Sequence, residues 1–80
     1  MNDLRKQERK LERELARLTR KSAHLSETRL RLPAGAPRAR VTSANAKWSR
    51  AAEARDRVAA ELEAVREQIE THEQNAQEAA

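Results

Sequence analysis

The chain has 80 residues, 17 Lys/Arg against 13 Asp/Glu and a formal net charge of +4. Ala, Glu, Lys, Leu and Arg fill 52 of the 80 positions, a composition of long helices or coiled coils. One Gly, two Pro and one aromatic exclude a β-sandwich or barrel, and the absence of Cys excludes a disulfide framework, a thiolate zinc site and a thiol nucleophile.

No aliphatic run is long enough to cross a bilayer and none reads as a secretory signal, so the expectation is a cytoplasmic protein with no membrane partner. Leu, Ile, Val and Phe number only 12, under the level of roughly one-fifth at which highly charged chains become disordered. Two helices touching along one seam offset the entropy of ordering narrowly. The expectation is association, as a homo-oligomer or a hetero-complex.

Leu4, Leu11, Leu18, Leu25 and Leu32 recur every seven residues, the d positions of a heptad whose a positions are Met1, Glu8, Leu15, Ser22 and Arg29. Asp3 favours a helix N-terminus, and Pro33 forbids continuation. Helix 1 is therefore expected over about 3–31. The run Pro-Ala-Gly-Ala-Pro that follows holds the only Gly and both prolines, which makes 32–42 the connector, with Thr42 or Ser43 as the next cap.

The second heptad register carries Val41, Trp48, Arg55, Leu62, Ile69 and Ala76 at a, and Ala44, Ala51, Val58, Val65, His72 and Ala79 at d. Helix 2 is expected over about 43–74, with a frayed tail over 75–80. Residues 1–21 hold eight cations against four acids, a net of +4, and residues 53–73 hold three against seven, a net of −4. Folding back at Gly35 sets these stretches side by side. The fold class is all-α, a two-helix antiparallel coiled-coil hairpin expected to associate into a helical bundle. The favoured register sets Leu11 by Leu62, Leu4 by Ile69, Leu25 by Trp48 and Leu32 by Val41. A seven-residue slip sets Glu8 near His72 instead.

Between Thr28 and Ala52 lie six cations, Arg29, Arg31, Arg38, Arg40, Lys47 and Arg50, and no acid. Trp48 sits among them. The guanidinium fork matches carboxylate or phosphate, so these seven residues form the candidate partner-binding set. The alternative is a solvated tip in which Trp48 plugs the end of the seam. A second candidate, the row Arg5, Arg9, Arg13, Arg17 and Lys21, spirals around the helix and reads either as solvated surface or as a phosphate track. Charged groups on the seam, namely Glu8, Arg29, Arg55 and His72, fix register or face a partner.

Enzyme chemistry finds no purchase. His24 and His72 lie far apart, one Gly cannot build a phosphate loop, and the carboxylates of helix 2 have no cleft around them. No catalytic residue, cofactor or metal is expected. Leucines at sevens beside basic residues invite comparison with leucine-zipper transcription factors, but here the basic residues are interleaved with the leucines instead of preceding them. Arg outnumbers Lys 13 to 4 and Ala reaches 16, as in proteins from GC-rich bacterial or phage genomes. The functional expectation is a non-enzymatic protein-protein interaction module presenting a basic tip to an acidic protein. The alternative is sequence-independent DNA or RNA binding through the same tip.

Overall fold

The computed structural model describes residues 2–79. It has two helices, α1 over Asn2–Leu30 and α2 over Arg38–Ala79, packed antiparallel in a rod of 67 × 14 × 14 Å. At 1.5 Å per residue the 42 residues of α2 span about 63 Å, so the rod is as long as its longer helix. The width admits two helices and no further layer.

Leucine spacing decides which faces meet. Leu11 and Leu18 from α1 interlock with Val58, Leu62, Val65 and Ile69 from α2, all buried, and Leu4, Leu15 and Ala54 pack against this cluster. Every one of these except Ala54 is an a or d position. Burial is densest toward the open end of the hairpin and thins toward the connector, where Leu25, Leu32 and Ala44 are half-buried and Val41 is exposed. Small Ala residues at 44 and 51 leave the tip end of the seam underfilled.

The register is neither of the two considered: Arg29 meets Trp48 and Ser22 meets Arg55, so a positions face a positions, about four residues away from the favoured alignment and three from the slipped one, while Glu8 pairs with Arg66 and His72 stays exposed. Polar groups on and beside the seam pair across it and along it. Glu8, with a side chain only 15% exposed, accepts from Arg5 Nη1 at 3.2 Å and Arg66 Nε at 3.4 Å. Arg66 also reaches Glu12 at 3.2 Å, and Arg5 pairs with Glu73. The Glu8 hydrogen bond first, against some desolvation and with help from Glu73, raises the Arg5 pKa further, so Arg5 stays charged at any working pH. Ser22, 3% exposed, accepts from Arg55 Nη1 at 3.1 Å.

The expected charge complementarity is realised in a different way from the one the net charges suggest. Of the three interhelical ion pairs among the described residues, only Arg5–Glu73 joins a cation of α1 to an acid of α2. The other two send Arg66 of the acidic arm to Glu8 and Glu12 of the basic arm. Net charge sums over whole helices, whereas pairing needs a donor and acceptor on the same side of the seam.

Two boundaries differ from the sequence expectation. α2 begins at Arg38, not at Ser43, because the Pro37 carbonyl accepts from the N–H groups of Arg40 at 2.9 Å and Val41 at 3.2 Å. Proline's fixed φ suits a helix start, so Pro37 opens α2 instead of lengthening the connector. Thr42 and Ser43 therefore lie exposed within the helix and cap nothing. The tail is helical through Ala79 although its side chains from Gln74 to Glu78 are exposed, in keeping with the good helix propensity of Ala, Gln and Glu.

The reversal falls where the sequence expects it. A turn closed by Ala36 N–H to Pro33 C=O at 2.9 Å carries the chain around, and no described glycine has positive φ. Gly35 is thus not needed for its left-handed freedom. The two prolines at the turn's flanks and the 3.4 Å i→i−3 bond from Leu32 N–H to Arg29 C=O stop α1 and start α2.

Candidate functional site

The connector and the adjoining helix ends build the tip. α2 has no acid in its first turn, and instead carries Arg38 and Arg40 there. Cations at a helix N-terminus oppose the macrodipole, each at a cost of about 0.3–1 kcal/mol in exposed settings. The fold therefore concentrates positive potential where local helix energetics disfavour it.

The seven residues singled out by sequence fall into three groups. Arg29 and Trp48 take each other: the guanidinium carbon of Arg29 lies 4.3 Å from the centre of the Trp48 ring, and both residues are half-buried. Arg29 Nε is buried with no hydrogen-bond partner, so the stacked ring is its main compensation. Arg31 donates to Glu27 at 2.6 Å. That acid lies one residue outside the acid-free stretch, one helical turn before Arg31, and removes this cation from the free set.

Arg38, Arg40, Lys47 and Arg50 remain. All four are exposed, and among the described residues none makes an ion pair or a side-chain hydrogen bond. Arg40 and Lys47 edge a depression of about 360 Å³ whose floor includes Leu25, Leu32 and Ala44, with His24 on the facing side. The arrangement can hold an acidic group at its edge and an apolar one on its floor.

Sequence reasoning missed part of this surface. Arg17, Lys21 and Arg57 line the continuation of the same depression toward the middle of the rod. Arg17 and Lys21 stood in the basic row of α1, and Arg57 stood in the acidic arm. Their shared signal is heptad position, g or c beside the leucine d column. The row itself dissolves as a unit. Arg5 turns to Glu8 and Glu73, whereas Arg9, Arg13, Arg17 and Lys21 are exposed at successively rotated positions.

Among the described residues no three His, Asp or Glu side chains come together as metal ligands do, and no helix is long and apolar enough to cross a membrane. No protein-family model matches the chain, and no curated protein or solved structure is significantly similar to it.

Proposed function

We propose that this hairpin is a non-enzymatic interaction module, a small adaptor, inhibitor or assembly factor that works in the cytoplasm of a bacterium or its phage. It presents its basic tip to an acidic surface on another protein. One observation carries this reading: Arg38, Arg40, Lys47 and Arg50 stand together, exposed and without ion pairs, in a stretch that holds no acid, whereas the other unpaired cations are interleaved with acids along the arms. Holding Arg38 and Arg40 against the helix dipole adds to it. The thin, underfilled tip end of the seam supports the accompanying expectation of association, with a second copy or with the partner.

Affinity capture from nuclease-treated lysate, comparing the native chain with the Arg38→Glu, Arg40→Glu, Arg50→Glu triple variant, tests the reading. An acidic protein retained by the native tip and lost by the variant is expected. Equal retention by both removes the tip from the interaction.

Nucleic-acid binding is the second reading, favoured by the same cations. Counter-ion release from about four phosphates implies a loss of affinity of about two decades between 50 and 200 mM salt. Its weakness is chemical: the one aromatic available for base stacking is already stacked under Arg29. Failure to retard duplex or single strands at low salt disposes of it.

A further inference from the structure

The two sides of the helix pair are unlike. On the side formed by the a and e positions lie all the contacts that stitch the hairpin together: Arg5–Glu73, Arg66–Glu8 and Arg66–Glu12, the Ser22–Arg55 hydrogen bond and the Arg29–Trp48 stack. On the side formed by the d, c and g positions there is none. Three adjoining depressions of about 360, 380 and 280 Å³ run there, whereas the stitched side holds a separate one of about 460 Å³ over Leu15 and Leu62 whose rim mixes Glu12 with Arg20 and Arg66. The first two share Leu25 and Lys47 and the last two share Leu18 and Ala54, so they form one trough.

The trough runs from Leu32 and Arg40 to Glu14 and Glu61, about 27 Å along α1 at 1.5 Å per residue. Its floor is apolar, with Leu18 and Leu25 from α1, Leu32 from the connector and Ala44, Ala51 and Ala54 from α2. Its rims are cationic on both sides: Arg17 and Lys21 from α1, and Arg40, Lys47, Arg50 and Arg57 from α2. All six are exposed and none makes an ion pair among the described residues. Acids enter only at the far end, as Glu14 and Glu61.

We infer that this trough receives one amphipathic helix of a partner protein, about five turns long, with a Leu/Ala stripe against the floor and Glu or Asp along both flanks. The inference rests on the interaction reading above and gives it a binding mode. Floor leucines spaced by seven residues offer holes that only a helix matches in register, and the alanines on α2 allow its backbone a close approach. The result is a three-helix bundle in which the partner completes the core that this chain leaves half-filled. Rim cations on both sides then meet acids on both flanks, which sets specificity and orientation.

Two other occupants fit less well. A second copy has no stripe to offer, since Leu30 and Val41 are the exposed large hydrophobics of the described chain and its other aliphatics already face the seam. Setting trough against trough would bring the six unpaired cations together. A nucleic-acid backbone would satisfy the rims but leave the apolar floor uncovered.

The test uses fluorescence anisotropy on the full chain with synthetic peptides of about five helical turns. One carries a Leu/Ala stripe flanked by Glu, one is the same composition scrambled to abolish the stripe, and one is the striped sequence flanked by Lys. A short DNA duplex is the fourth probe. The striped acidic peptide is expected to bind at least tenfold more tightly than its scrambled form, gaining helical circular dichroism as it binds, while the Lys-flanked peptide does not bind. Lys47→Glu with Arg50→Glu should weaken the acidic peptide about tenfold and admit the Lys-flanked one. Arg9→Glu with Arg13→Glu, which removes equal charge away from the trough, should do neither.

Equal binding of the striped and scrambled acidic peptides overturns the helix-in-trough mode but leaves an acidic partner at the tip standing. Tighter binding of the duplex than of either acidic peptide overturns both. A stable dimer in sedimentation, disrupted by the Lys47/Arg50 double variant and closed to the striped peptide, assigns the trough to a second copy and also overturns the inference.

Discussion

Replacing Arg29 by Met and Trp48 by Leu, singly and together, isolates the one contact that organises the tip. The guanidinium carbon sits 4.3 Å from the ring centre, and both side chains are half-buried. A cation–π contact contributes about 0.5–1 kcal/mol at exposed sites and about 2 kcal/mol when desolvated, so about 1 kcal/mol is expected here. Against this stands Arg29 Nε, buried with no acceptor, at a cost of about 1–3 kcal/mol. Arg29→Met removes both terms and keeps the apolar stem, so it should leave stability unchanged or raise it by up to about 2 kcal/mol. Trp48→Leu loses apolar area and also leaves the guanidinium uncompensated, at about 2 kcal/mol.

In the double variant the second loss has already been removed, so the changes should fail to add by about 0.5–1 kcal/mol. Urea unfolding followed by helical circular dichroism supplies the four free energies. Additivity within about 0.3 kcal/mol would mean that the stack contributes nothing beyond packing. Trp48 would then be available to a partner, contrary to the assignment made for it above.

Two further outcomes follow from the fold. Gly35→Ala should raise stability by about 0.4–1 kcal/mol, because a Cβ there meets nothing within 4 Å and the residue has no positive φ; a lowered thermal midpoint would show that the turn depends on glycine after all. Leu62→Ala, at a site 3% exposed, should cost about 2–5 kcal/mol, whereas Leu30→Ala, 75% exposed, should cost under about 0.5 kcal/mol; comparable urea midpoints for the two would contradict the placement of the core.

The hairpin was legible because its signals are one-dimensional. Leucines at sevens, alanine-rich d positions in the second half and a Pro/Gly break between them need no knowledge of what lies opposite. The same reasoning singled out Arg38, Arg40, Lys47 and Arg50, because an acid-free stretch can be counted, and the structure leaves all four exposed and without ion pairs. It placed the start of α2 too late by reading Pro37 as connector, since a proline's role depends on whether its carbonyl finds the N–H groups of Arg40 and Val41. It also counted Arg31 as free, though Glu27 lies within reach one turn earlier.

Composition and spacing alone determined that this chain is helical, that it doubles back once and that positive charge gathers at the bend. Only the packed pair decided which cations are free and on which side they lie. Arg66 turned to Glu8 and Glu12, Arg29 turned to Trp48, and Arg57 joined a cationic rim although it belongs to the acidic arm. The reason is geometric. A heptad assigns each residue an angle on its own helix, but ion pairing and groove formation depend on how two such angles face each other across a seam, and that is set by packing of the two helices together.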